Sequence, residues 1–355
     1  GTAVTTGVQN TLMGAFAGDA LTDADLNVAV GYQALSADTK GSRSVAIGYS
    51  ALFSQNFTTS TNSFNTAVGD SAGQQVTTGL QNTLIGGLAG DALTDADDNV
   101  AIGVVALTAD TLGSRSVAVG RGTLGTQNFT TATNTYNTAV GYDAGAAVTT
   151  GVQNTLIGGL AGDASQTGDA NVAVGYLSFS SVATGDNNTA IGTRSMFSNT
   201  SGSENTGLGK DALYSNTVGA YNVAVGEGAL YSNVDGSRSV AVGRLALYTQ
   251  DPASAVDMYN VGVGYNAGGA VTTGIQNTLI GGLAGDAITT GQYNVAIGVD
   301  ALSVEDTASK SVAVGTSALA VQNAGTVDAY NVAVGHNSGV NVTTGVNNTL
   351  IGGLA

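Results

Sequence analysis

Catalysis and metal binding need side chains that converge, and few in this sequence do. The single histidine, His336, is followed by Asn337 and Ser338, which supply neither the acid nor the thiol that a catalytic or metal-ligating histidine would need. Asp95, Asp97 and Asp98, with Asp23 and Asp25 earlier in the chain, could hold Ca²⁺ through oxygen ligands in a turn. A solvated acidic turn accounts for them better, because the glycine-aspartate nonapeptide of calcium-binding β-rolls is missing and the later equivalent is Thr289-Thr290. Asp19, Asp91, Asp163 and Asp286 would be the carboxylates of a polysaccharide lyase or hydrolase. They recur four or more repeats apart, much farther than the roughly 5 to 10 Å between the paired acids of a glycosidase. No catalytic residue and no cofactor site is expected, and the chain reads as a non-enzyme.

The elements that would carry such residues come from a short repeat. A five-residue unit (Asn or Ser, Thr or Val, a small residue or Leu, an aliphatic residue or Met, Gly) begins at twenty positions from Asn10 to Asn348, mostly 17 residues apart. Longer steps follow Ser44, Ser116, Ser239 and Ser311, which overlays a four-rung superperiod; a block of additional plain rungs over 177–221 interrupts it. β-Branched residues bounded by glycine at so short a period predict strand and turn rather than helix. The expected fold is all-β: a parallel β-solenoid, or β-roll, of about twenty 17-residue rungs running continuously over 1–355. The glycine that closes each unit (Gly31, Gly48, Gly69, Gly86, Gly103 and their equivalents) marks a corner that excludes a β-carbon. The leading Asn is expected to form an amide ladder or to cap the turn.

Within the unit, the residues second and fourth are β-branched or aliphatic and are expected to face the solenoid interior. The third would then face outward, yet it is Ala in thirteen copies, Gly in two and Leu in five: Leu12, Leu84, Leu156, Leu279 and Leu350. A dry outer face implies a partner, so this stripe is the expected seam of a parallel homotrimeric fibre. The alternative is that the second half of the same coil covers it, since pairs such as Ala34-Leu35 and Ala51-Leu52 are apolar too.

Composition narrows the partners. Lys and Arg number 9 against 25 Asp and Glu, a net charge of -16 that repels phosphate backbones and argues against nucleic acid. No apolar run is long enough to insert into a membrane. No cysteine is present, which excludes disulfides and thiolate metal sites. The chain stops mid-rung at Ala355 without a capping unit, so it is expected to be cut from a longer polypeptide.

The segments Ser44-Val-Ala-Ile-Gly48, Ser116-Val-Ala-Val-Gly120 and Asn99-Val-Ala-Ile-Gly103 resemble the head repeats of YadA-like trimeric autotransporter adhesins. Asn188-Thr-Ala-Ile-Gly192 and Lys210-Asp-Ala-Leu-Tyr-Ser-Asn216 are also similar to phage tail-fibre shaft repeats of the kind that precede an intramolecular chaperone domain. The resemblance covers essentially the whole chain. It implies a trimeric, extracellular fibre on a virion tail or a bacterial surface that serves host attachment through a cell-surface glycan or protein receptor. A polysaccharide-degrading tailspike with catalysis elsewhere, or a purely structural filament, are the alternatives. Loops vary where the scaffold repeats, so inserted loops near 54–64, 126–136, 249–259 and 321–330, with Phe57, Phe129 and Pro252, are the candidate receptor contacts. The thirteen tyrosines fall in three rung positions and are expected to stack from rung to rung. Arg43, Arg115, Arg238 and Lys310 precede the serine-led rungs and are expected to neutralise nearby acids.

Overall fold

β-Branched residues on either side of a small one favour extended backbone, and the glycine that follows ends the extension after three residues. The computed structural model describes residues 1–181 and 184–355; Val182 and Ala183, within the interrupting block, lie outside the described residues. All of the secondary structure among the described residues is strand, and the chain is a parallel β-solenoid of about twenty turns. It divides into two units, Gly1–Leu177 and Ser178–Ala355. The first contains ten three-residue strands, from Thr11–Met13 and Val28–Val30 to Val172–Val174, each paired in parallel with the next without register slip. The second contains ten more, from Thr189–Ile191 to Thr349–Ile351, paired in the same way. Residues therefore stack like on like: Leu84 lies beside Ala67 on one side and Ala101 on the other.

The structure corrects the orientation read from the sequence. The third residue of each unit faces inward, and the second and fourth face out. Ala29, Ala46, Leu84 and Leu279 are completely buried within the single chain, Leu156 is nearly so, and Leu12 and Leu350 are half-buried. The leucine stripe is thus core, covered by the other half of its own coil, and cannot be an intersubunit seam. The reason is volume. Where the third residue is Ala, the ninth position of the unit is usually large and buried, as in Ala29 with Leu35, Ala101 with Leu107 and Ala173 with Phe179. Where it is Leu84, that position is Gly90 in the same coil and Gly73 in the preceding one. A β-carbon on Gly90 would come within 2.8 Å of Leu84 Cδ2, and one on Gly73 within 2.6 Å of Leu84 Cδ1. Leu156 with Gly145 and Gly162, and Leu279 with Gly268 and Gly285, repeat the arrangement. The leucine layer fills space vacated by glycine, which keeps a thin core at crystal-like density.

The corner glycines have φ between +128° and +145°, a region essentially closed to other residues. A β-carbon on Gly48 would meet the Gly69 carbonyl oxygen of the next coil at 2.2 Å. A second left-handed position escapes composition altogether. The residue just before each leading Asn or Ser has φ near +60°, and none of the twenty is glycine: Arg43, Gln81, Tyr221 and Tyr293 are examples. Such backbone costs about 1 kcal/mol or more per residue. It is held by inter-coil hydrogen bonds, as from Arg43 N to Asp25 O (3.0 Å) and from Gln81 N to Ser63 O (2.8 Å).

Candidate functional site

The buried Asn column shows how the coils are held in register. Asn27 Oδ1 accepts from the backbone N–H of Ser44 one coil later (2.8 Å), and Asn27 Nδ2 donates to the Gly41 carbonyl (2.9 Å). Asn82 and Asn99 do the same. The ladder runs mainly from amide to backbone rather than from amide to amide, and it leaves no chemistry exposed.

At the serine-led rungs the ladder changes, and a clamp for the inserted loop replaces it. Ser44 cannot reach across as asparagine does. Gln55, eleven residues on, donates from Nε2 to Ser44 Oγ (2.9 Å) and to Asp38 Oδ2 (2.6 Å), while its Oε1 accepts from Asn65 Nδ2 (2.9 Å). Asp38 Oδ1 accepts from the backbone N–H of Gly41 (3.0 Å) and of Phe57 (3.1 Å). Gln127, Asp110, Ser116, Asn137 and Phe129 repeat the cluster. Burial pushes the Asp38 and Asp110 carboxyls above the usual carboxylate range, opposed by the hydrogen bonds from glutamine and backbone. In the third module Gln250 bonds Asn233 instead (2.9 Å), and in the fourth Gln322 bonds Glu305 (2.8 Å). The third module is informative because Pro252 stands where Phe57 and Phe129 stand. Proline has no N–H to satisfy, so a neutral amide suffices where the others need a carboxylate. The sequence signal, a Gln eleven residues after each loop-bearing Ser, was there to be found.

This clamp overturns the reading of the loops as receptor contacts through Phe57, Phe129 and Pro252. All three are buried, the phenylalanines at 6 and 7 % exposure, because each loop folds back and lays its ring over the clamp. Phe57 Cδ2 lies 2.7 Å from where a β-carbon on Gly41 would be, and Pro252 Cδ lies 3.2 Å from the same point on Gly236. The basic residues at φ near +60° pin the loop edges. Arg43 Nε donates to Asn62 (3.1 Å), Arg115 to the Tyr136 hydroxyl (3.2 Å) and Lys310 Nζ to Asp328 (2.6 Å), while Arg238 Nε pairs with Asp257 (2.9 Å). Asp328, with help from the Tyr330 hydroxyl, holds the Lys310 ammonium well above its usual range.

The acidic candidates are dispersed. Asp95 Oδ1 accepts from the Thr77 and Thr78 hydroxyls (2.7 and 2.6 Å), which hold its carboxyl below the usual range. Asp97 Oδ1 accepts from Leu80 N (2.7 Å), and Asp98 pairs with Arg115 (3.5 Å). They address three separate partners, and no group of three or more metal-ligating His, Cys, Asp or Glu occurs among the described residues. Asp91 accepts from Thr108 (2.5 Å), and Asp286 is pushed up by burial; each stays in its own coil without a catalytic mate among Asp19, Asp91, Asp163 and Asp286. His336 is exposed on the surface.

Two outward surfaces remain. The first is the sheet's outer face, two columns of Thr or Val and of Val, Ile or Leu. Outside the first and last coils, the most open members of the aliphatic column (Ile47, Ile157, Leu208, Val334) are 38 to 42 % exposed. The second is aromatic: Tyr32 stacks on Tyr49 (5.5 Å between centroids), and Phe197, Tyr214, Tyr231 and Tyr248 form a continuous ladder. No helix among the described residues is long and apolar enough to cross a membrane. Compared with protein-family models and with curated proteins, the chain matches none.

Proposed function

We propose that this chain is the shaft of an extracellular attachment fibre, of the virion-tail or bacterial-surface kind, which works as a parallel homotrimer and carries no enzymatic activity. The observation that supports this is the outer sheet face. All-parallel sheets nearly always have both faces covered; here one face is the core, and the other is an uncharged row of β-branched and aliphatic side chains in every coil, from Val28 and Val30 to Val332 and Val334. Each ten-coil unit by itself offers a strip on the order of 500 Å², more than half of the roughly 800 Å² per partner of a stable interface. Like residues in every rung let copies associate in parallel and in register, so the seam lies on the second and fourth residues of the unit. Non-enzymatic use agrees with the isolation of the carboxylates in separate coils, and the repetition serves stiffness and multivalent display.

Light scattering on the purified chain tests the assembly. The expected mass is three times 34.8 kDa, and Ile102→Lys with Val119→Lys should dissociate it while leaving the β-sheet circular dichroism intact. A folded monomer at all concentrations would remove the fibre reading and leave a single-chain filament.

A further inference from the structure

Four coils that begin in the interrupting block and run on past it have a surface that the rest of the solenoid lacks. At the tenth position of the unit other coils carry small, polar or aliphatic residues such as Asp19, Ser36, Gln74, Gly125 and Val340, with Phe53 an isolated aromatic, but four consecutive coils carry Phe197, Tyr214, Tyr231 and Tyr248. Their rings are nearly parallel (interplanar angles 7°, 3° and 20°) with centroids 5.2, 4.9 and 5.0 Å apart. The half-buried stack presents one edge to solvent and puts three phenol hydroxyls in a row at rung spacing. Beside it runs a chain of alternating charges. Arg194 grips Asp211 (Nε–Oδ1 and Nη2–Oδ2 both 2.9 Å), Lys210 lies 3.6 Å from both Asp211 and Glu227, and Arg244 pairs with Glu227 (3.2 Å). Arg194 also lies over the Tyr214 ring at 5.4 Å. Three of the nine basic residues are spent on this patch in a chain of net charge -16, and of its four coils only the last, led by Ser239, carries an inserted loop.

We propose that the ladder of Phe197, Tyr214, Tyr231 and Tyr248, with Arg194, Lys210, Asp211, Glu227 and Arg244 beside it, binds an extended, neutral, β-1,4-linked glycan along the coil stack. The ring faces are covered by one another, so the ladder meets a sugar chain through its C–H edge and its row of three phenol hydroxyls, which hydrogen-bond sugar hydroxyls. Asp211 and Glu227 tie down the three cations and leave the patch a net charge of only +1, so it holds fixed hydrogen-bonding groups for sugar hydroxyls, and the acidic chain as a whole disfavours anionic polymers. An extended β-1,4-linked pyranose chain advances by nearly one ladder step per residue, so successive sugars meet equivalent rings, whereas α-1,4-linked chains coil away. The site goes beyond the shaft reading and does not depend on the number of chains.

The test is titration of the intact chain with cellohexaose and chitohexaose, with maltohexaose as the coiled control, by calorimetry and by tyrosine fluorescence, which no tryptophan obscures. The expected result is binding of a β-1,4 hexamer that strengthens from dimer to tetramer and is weak for maltohexaose. Tyr231→Ala should weaken it about tenfold, the order of one lost aromatic contact; Tyr231→Phe and Arg194→Gln, which keep the stack, should weaken it less, and Tyr142→Ala in another column not at all. Native circular dichroism without binding of either β-1,4 hexamer would overturn the proposal, as would equal binding of maltohexaose or undiminished binding by folded Tyr231→Ala. Should Tyr231→Ala not fold, unchanged binding by both Tyr231→Phe and Arg194→Gln would overturn it instead.

Discussion

The volume exchange between the third and ninth positions can be tested by converting one coil type into the other. Leu84 is fully buried and lies against Gly73 and Gly90, where β-carbons would come within 2.6 and 2.8 Å of its methyls. Leu84→Ala removes three carbons from a site whose glycine neighbours cannot collapse into the void, so it should cost about 2.7 to 5 kcal/mol. Gly90→Leu alone drives a side chain into Leu84 and should cost roughly 1 to 3 kcal/mol. The double variant recreates the Ala101 and Leu107 coil. Gly90 has φ +55° and Leu107 has φ +53°, so the backbone already suits leucine there, and the two changes should offset each other by a coupling of about 2 kcal/mol or more. A repeat protein need not unfold in one step, so the assay is hydrogen exchange of the Thr83–Ile85 amides, read as local opening free energy, with light scattering in parallel. If Leu84→Ala changed the oligomeric state while leaving exchange unaltered, or if the double variant were no better than the worse single, the leucine would not be core and the argument from volume would fail.

Three further outcomes follow from the same geometry. Gly48→Ala, with a β-carbon 2.2 Å from a carbonyl oxygen at φ +139°, should cost upwards of roughly 3 kcal/mol and speed exchange in both adjacent coils. Asp38→Asn leaves one oxygen for the Gly41 and Phe57 N–H groups and Gln55, and each orphaned donor should cost about 1 to 3 kcal/mol; in a Phe57→Pro background, which copies the Asn233–Pro252 module, the penalty should shrink, as a double-mutant cycle on the exchange of residues 54–64 would show. Because burial raises the Asp110 carboxyl above its unfolded value, the charged form destabilises the clamp at neutral pH. The opening free energy of residues 126–136, taken from exchange relative to the intrinsic amide rate at each pH, should therefore rise as pH falls through the folded pKa toward 3.8, and Asp110→Asn should remove that rise; a fall over the same range would contradict it.

The repeat itself decides the fold. The period, the corner glycines and the β-branched run point to a parallel β-solenoid, because three-residue runs rich in β-branched side chains and closed by glycine favour strand and turn over helix. The positions of the inserted loops were equally plain, since the longer steps follow Ser44, Ser116, Ser239 and Ser311. Which face of the strand is core was not legible. Side-chain alternation carries that information only when one face is polar, and in Val-Ala-Val or Thr-Leu-Ile all three residues can be buried. Closing the coil decided it: the interior is narrow, so the small third residue fits inside and the branched neighbours are forced out, with leucine admitted at that position opposite glycines, as Leu84 is opposite Gly73 and Gly90. The left-handed residue before each leading Asn or Ser has no single compositional signature, being Gln, Tyr, Arg, Asn, Asp, Leu or another non-glycine residue, because its conformation is imposed by bonds to the neighbouring coil. The burial of Phe57 and Pro252 likewise came from the tertiary structure alone. A loop reads as exposed until the carboxylate or amide beneath it, seventeen or more residues away, is seen to need a cover.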